Sequence, residues 1–242
     1  MKKIKLMNKI AKCGTDRFSS YNYEYNENIL SPDAVMVRSA DMHNYDFGDE
    51  LKAIAQFAKE RDLIVISDEP YESIVYDGRK NYSIAALPDM FARTITVNSF
   101  SKTFAMTGWR VGYAVAEEAF INAMTIMQES LTSSVNAASQ YAACVALTSP
   151  KDEVEEMRRV YEKRAELLER GLNRIKGFSF IKPEGAFYAF VNIKDTGMTS
   201  EEVSQRLIEE CQVVTTPGSA FGAAGEGYIR ISFASSSEIL EE

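Results

Sequence analysis

Histidine is almost missing from this chain: one residue, His43, in 242. A histidine-rich metal site or an ordinary Ser-His-Asp triad therefore has little to be built from, and acid–base chemistry must lean on Lys, Tyr, Asp or Glu. Cysteine is scarce as well. Cys13, Cys144 and Cys211 are odd in number, far apart and not in a ligand-spaced pair, which argues against a disulfide framework and a metal site. They read as reduced thiols of a cytoplasmic protein, with Cys144 and Cys211 packed in helices. No apolar run approaches the length of a membrane span. The Lys2, Lys3, Lys5, Lys9 cluster lacks the apolar stretch of a secretory signal and reads as a solvated N-terminus. Excess positive charge is absent too: 27 Lys and Arg face 35 Asp and Glu, a net charge of −8, which disfavours nucleic acid or an anionic membrane as partner.

What is present is ordinary for a globular protein, 45% hydrophobic and 26% charged residues, with length enough for one large domain or two small ones. Residues 1–40 show no clean period and are expected to be irregular. From Asp49 to Asp62, Leu51, Ile54, Ala55, Phe57 and Ala58 fall on one helical face. Leu63–Ile66 then reads as a buried strand of a parallel sheet, closed by Asp68. Thr94–Val97 is a second such strand and Val111–Val115 a third. One long helix is expected over about 117–147 and another, densely charged, over 152–172. After that, Phe178–Ile181, Ala186–Asn192, Val213–Thr215 and Tyr228–Phe233 look like strands around a helix, 199–211, capped by Thr199 or Ser200. The fold class is thus α/β over 41–147, followed by a small α+β domain over 148–242.

The densest chemistry lies at residues 97–114. Lys102 follows the second strand among small, hydroxyl and apolar residues (Phe100, Phe104, Met106, Trp109). In apolar company the neutral amine of a lysine becomes accessible and can act as a Schiff-base nucleophile. Ser99 by its hydroxyl and Arg110 by a charge-assisted fork would bracket a phosphate, and Gly108 and Gly112 allow close backbone approach. Amine, hydroxyl and guanidinium together describe pyridoxal phosphate. Asp68, at the carboxyl end of the first strand, could hold a protonated pyridine nitrogen, and Tyr71 could reach a ring oxygen. In Tyr228–Phe233, the alternation puts Ile229, Ile231 and Phe233 on one face and leaves Arg230 and Ser232 on the other, open to a cleft.

From about Leu51 to Phe233 the sequence resembles the pyridoxal-phosphate-dependent aminotransferases of fold type I, class I/II. The matching segments are Ser67-Asp68-Glu69-Pro70-Tyr71-Glu72, Ser99-Phe100-Ser101-Lys102, Gly108-Trp109-Arg110-Val111-Gly112, Gly185-Ala186-Phe187-Tyr188, Pro217-Gly218-Ser219-Ala220-Phe221-Gly222 and Tyr228-Ile229-Arg230-Ile231-Ser232-Phe233. The resemblance implies that Lys102 is the Schiff-base lysine and proton shuttle and that Asp68 partners the pyridine nitrogen. It implies Tyr71 on the ring hydroxyl, Ser99 and Arg110 on the phosphate, and Arg230 on the α-carboxylate of the substrate. It further implies amino acids and 2-oxo acids as substrates, a homodimer, and no metal.

The resemblance also implies sequence that is not found here. A glycine-containing phosphate turn, an aromatic stacked on the cofactor and an Asn-Pro segment would precede Asp68; the Asn-Pro slot falls near Ala40-Asp41-Met42-His43, and neither residue is there. One of Tyr21, Tyr23 or Tyr25 could stand in for the aromatic. The expectation is therefore a partial large domain, an incomplete doubly wound sheet, in a chain shortened at its N-terminus and slightly at its C-terminus, with cofactor held more weakly than in a longer relative. Two other functions stay open: a lyase or decarboxylase on the same scaffold, and a catalytically silent homologue.

Overall fold

The computed structural model describes residues 2–6, 23–26, 34–36 and 47–241. Cys13, Tyr21, His43 and the Ala40–His43 slot lie outside the described residues. The chain divides into two compact units, Met1–Glu72 with Tyr82–Ser149, and Ser73–Asn81 with Pro150–Glu242.

In the first unit, β1 (Lys2–Leu6) pairs in parallel with β2 (Tyr23–Asn26) and β3 (Ala34–Met36). A segment expected to be irregular thus holds three short strands. Its runs, such as Tyr23-Glu24-Tyr25, alternate over too few residues to register as a period. Helix α1 (Phe47–Glu60) buries Ala55 and Ala58 against Leu63, Ile84 and Met90, with Val65 packed on the same cluster. β4 (Val65–Asp68) and β5 (Thr94–Ser99) run parallel, Val65 opposite Thr94 and Asp68 opposite Val97. Parallel burial of β4 holds on one side only. Its alternation gives Val65 to α1, while Ile64 and Ile66 are 47% and 66% exposed on the other face.

After β5 come the short helix α2 (Phe100–Thr103) and then β6 (Gly112–Val115), which pairs with β5 antiparallel. The expected third parallel strand is therefore a return strand. The connection holds only short helical turns, not the crossover helix that a parallel return requires. The single helix expected at 117–147 is two, α3 (Glu118–Leu131) and α4 (Ala137–Thr148). Ser133 at φ 60° breaks the run, and the Asn136 side chain restarts it by accepting from the amides of Ala138 and Ser139 at 2.9 and 3.3 Å. Cys144 is helical as expected but exposed, because the apolar side of α4 that packs on Phe100, Met106 and Val111 is centred on Ala143.

In the second unit, α5 (Asp152–Leu172) matches its expected span and buries Ala165, Leu168 and Leu172. Arg158 pairs with Glu155 and Glu162 at 2.8 and 2.9 Å and donates to the Val75 carbonyl, which ties residues 73–81 to this helix. β7 (Tyr188–Asn192), β8 (Thr216–Pro217) and β9 (Tyr228–Ser232) form an antiparallel sheet in the order β7-β9-β8. Its inner positions Ala189, Val191, Ile229 and Phe233 are fully buried. The strand expected at 178–181 reduces to one bridge, Ser179 to Asn192. The Asn173 side chain takes both the amide and the carbonyl of Phe180 instead. α6 (Ser200–Cys211) starts at a capping box between Thr199 and Glu202. Its end also displaces the strand expected at 213–215, since the Val213 amide closes onto the Leu207 carbonyl at 3.0 Å. Cys211, in that last turn, is exposed. α7 (Ser237–Glu241) follows β9.

Candidate active site

Five of the six sequence-derived site residues fall in the first unit, around the carboxyl ends of β4 and β5. The Glu69 amide bonds the Val97 carbonyl at 2.9 Å and carries the ladder one step past Asp68. In parallel sheets this end is where ligands bind. Asp68 keeps solvent access, yet desolvation by the surrounding atoms raises its pKa above the ordinary aspartate value. Tyr71 follows in the turn, and the Lys102 ammonium lies 6.0 Å from its ring centre, an approach compatible with cation–π attraction.

Lys102 sits in a turn built from both ends. At its start the Ser99 hydroxyl caps α2, accepting from the Ser101 amide at 3.2 Å. Below it, buried Phe100 packs on Phe104 and Tyr113, with ring centres 5.3 and 5.6 Å apart. Of the apolar company expected around Lys102, Phe100 and Met106 are buried, whereas Trp109 is half exposed. Gly112 has no alternative: a Cβ there would come within 2.5 Å of the Asn98 carbonyl oxygen. Arg110 stands at φ 52° and ψ 50°, a left-handed conformation that non-glycine residues adopt only under constraint. Its guanidinium donates to the Thr107 carbonyl at 3.0 Å, and the Thr107 hydroxyl donates to the Ser101 carbonyl at 3.0 Å. Thr107 thus ties the arginine to the lysine turn. Arg110 also lines an open pocket of about 650 Å³ with Trp109, Asn136 and Ser139; Lys102 and Asp68 are not in its wall.

Sequence reasoning passed over three residues here. Asn98 is buried, donates its amide to Glu72 and accepts from the Ser99 amide at 2.9 Å. Burial raises the Glu72 carboxyl, the Asn98 bond opposes this, and Glu69 adds to it. Only the sequence neighbourhood of Ser99 and Asp68 could have marked Asn98 and Glu72. Thr107 carried no signal beyond its place before Gly108.

Arg230 belongs to the second unit. As the alternation predicts, Ile229 and Phe233 are buried and Arg230 and Ser232 share the other face. Its guanidinium lies over two rings, 4.5 Å from the centre of Tyr188 and 4.7 Å from that of Phe221. Among the described residues it makes no ion pair and donates no hydrogen bond, so its N–H fork is available to a carboxylate.

Residues 48–242 match the family described as aminotransferase class I and II. Aromatic-amino-acid aminotransferase 2 of Thermococcus litoralis is 53% identical over 195 residues, 80% of this chain and 50% of that protein. An aspartate aminotransferase of Pyrococcus abyssi is 52% identical over 195 residues, with the same coverage of 80% and 50%. The chain spans about half the length of the curated relatives it matches. Among solved structures, the aromatic aminotransferase from Pyrococcus horikoshii OT3 superposes with a TM-score of 0.77 at 42% identity, over 96% of this chain and 61% of that one.

Proposed function

The chain belongs to the class I and II aminotransferase family, and on that premise we propose that it transfers an amino group between an amino acid and a 2-oxo acid with pyridoxal 5'-phosphate. The observation that carries this reading is the arrangement at the ends of β4 and β5: a half-buried Lys102 ammonium facing Tyr71, with Asp68 closing β4, and Ser99 and Arg110 on the turn that holds the lysine. This donor set fits the group. A carboxylate suits a protonated ring nitrogen, a hydroxyl and a guanidinium suit a phosphate, and an amine suits an aldehyde. When bound, the cofactor supplies an aldehyde carbon and a ring that accepts electrons from the substrate Cα.

In this reading the division of labour follows from the residue types. Asp68 holds the proton on the ring nitrogen by opposite charge, and Tyr71 donates to a ring oxygen. Ser99 and Arg110 fix the phosphate, Arg110 by its planar fork. Lys102 supplies the amine for the cofactor aldehyde and removes and returns the proton at the amino-acid Cα. Arg230 orients the amino acid by its carboxylate, which every amino acid and 2-oxo acid shares. The relatives at 53% and 52% identity carry aromatic and aspartate names respectively, so identity does not choose the side chain. The reading extends to a cytoplasmic homodimer, the self-association supported by Ile126, Met127, Leu131 and Tyr141, exposed on α3 and α4. Among the described residues no helix is long and apolar enough to cross a membrane.

The test is direct. Mixing the purified chain with pyridoxal phosphate is expected to shift the visible absorbance band of the free cofactor, a shift that Lys102→Ala abolishes, and an added amino acid is expected to yield its 2-oxo acid. An unshifted band with no oxo acid formed would overturn the proposal.

A further inference from the structure

We propose that Tyr188 and Phe221 are positioning residues that clamp the Arg230 guanidinium between their rings and leave only its N–H edge to a substrate carboxylate. The inference rests on the carboxylate role given to Arg230 above and deepens it. The two ring centres lie 4.5 and 4.7 Å from the guanidinium carbon, inside the range in which an aromatic face attracts a cation. Guanidinium is planar and weakly hydrated, so rings can cover both of its faces while its donors point outward in the plane. With its faces covered, the charge is shielded from water, and a hydrogen-bonded carboxylate gains from the lower local dielectric. A side chain with many rotamers is also fixed before the substrate arrives, which removes an ordering cost from binding.

Both rings are themselves held. Tyr188 comes from β7, which pairs along β9 with Tyr188 opposite Ser232 and Phe190 opposite Arg230, and it packs on Phe187 with ring centres 4.9 Å apart. Phe221 comes from the turn 217–227. That turn closes so tightly that a Cβ on Gly218 would come within 1.9 Å of the Gly225 carbonyl oxygen. The turn is pinned by fully buried Ser200, whose hydroxyl donates to Glu226 at 2.9 Å and accepts from the Ser219 amide at 3.3 Å. Nothing in the pattern of the strand pointed to this arrangement, because Phe221 reaches Arg230 from outside the sheet.

Two readouts test the clamp on the protein loaded with pyridoxal phosphate, with 3-phenylpropionate as the carboxylate probe. First, in the intact protein the Arg230 side-chain resonances, identified by their loss in Arg230→Lys, are expected upfield of unstructured arginine from the ring currents. Tyr188→Leu or Phe221→Leu should move them back. Second, each Leu variant is expected to weaken 3-phenylpropionate binding roughly three- to thirtyfold, while Tyr188→Phe and Phe221→Tyr keep it within about twofold. A positioning role raises KM for amino acid and oxo acid together and leaves kcat nearly unchanged. Should one Leu variant fail to fold, the other and the two ring-retaining variants still decide. Unshifted Arg230 resonances, or Leu variants that bind the probe as tightly as the parent, would overturn the clamp. Shifted resonances that respond to both Leu variants but not to 3-phenylpropionate would uphold the clamp and sink the carboxylate role assigned to Arg230.

Discussion

The two units use their apolar residues differently. In the second, the antiparallel sheet buries Ala189, Val191, Ile229 and Phe233 completely, and its polar face carries the arginine against two aromatic rings. In the first, α1 packs on Leu63 and Val65 at β4, while Ile64, Ile66 and Val115 remain exposed. Yet the first unit holds five of the six candidate residues, including the lysine. The contrast teaches that the site depends less on how fully a sheet is covered than on how its strand ends are tied. Asn98, Gly112 and Thr107 fix the Lys102 turn through backbone and hydrogen bonds.

The sharpest way to break this comparison is to cut the cores. Phe233→Ala is expected to destabilise the second unit by about 3–5 kcal/mol, whereas Ile66→Ala in the first should cost under about 1 kcal/mol, since little transfer energy is stored in an exposed side chain. Hydrogen exchange in graded urea reads each unit separately; equal costs would show that the exposed face of β4 is in fact packed. Next come the glycines. Gly218→Ala and Gly112→Ala each drive a Cβ into a backbone carbonyl, at 1.9 and 2.5 Å, and should cost about 1–3 kcal/mol. They differ in consequence. Gly112→Ala displaces Asn98 and Ser99 and should weaken pyridoxal phosphate binding in a titration, whereas Gly218→Ala should leave that affinity unchanged and weaken carboxylate binding instead.

Much of this was legible in the sequence, and the reasons it failed are local. Helices α5 and α6 and the two-faced β9 follow from periodicity and an N-cap, signals carried within one element. The join between α3 and α4 was missed because apolar spacing continues across it, and only Asn136 and Ser133, polar residues that also occur inside helices, mark the break. The direction of β6 depends on what the connection after Ser99 contains, which a strand pattern cannot express. At the site, residue types with distinctive chemistry (Lys102, Asp68, Arg110, Arg230) were readable as candidates. Asn98, Glu72, Thr107 and Phe221 were not, because each acts by touching something distant in the chain or by holding backbone.

Helix caps give a smaller and more even effect. Asn136→Ala and Thr199→Ala remove one cap from each unit and should each cost about 1 kcal/mol, read by the same exchange experiment. A markedly larger loss for Asn136→Ala would mean that α4 carries more of the first unit than its partly exposed apolar side suggests.

Acid separates the units most finely. Among the described carboxyls with shifted pKa values, those in the first unit, Asp68 and Glu72, are raised, chiefly by burial. Those in the second, Glu155, Glu162, Glu202, Glu210, Glu226 and Glu238, are lowered, chiefly by hydrogen bonds from arginine, serine, threonine or backbone donors. A carboxyl lowered on folding adds stability above its unfolded pKa and forfeits it as pH falls through the folded value. A raised one burdens the fold at neutral pH, and protonation lifts that burden. Acidification below the ordinary glutamate value of 4.5, towards the value of about 2 held by Glu155, should therefore loosen the second unit while sparing the first. Trp109, the one tryptophan, reports the first unit by fluorescence, and hydrogen exchange of α5 and α6 reports the second. Protection in α5 and α6 is expected to fall at a higher pH than the Trp109 signal changes, and Glu226→Gln should flatten the acid limb of the second unit. Since most of the lowered groups are surface pairs and caps, added salt should narrow the gap; a Trp109 transition that comes first would reverse the assignment of which unit its charges protect.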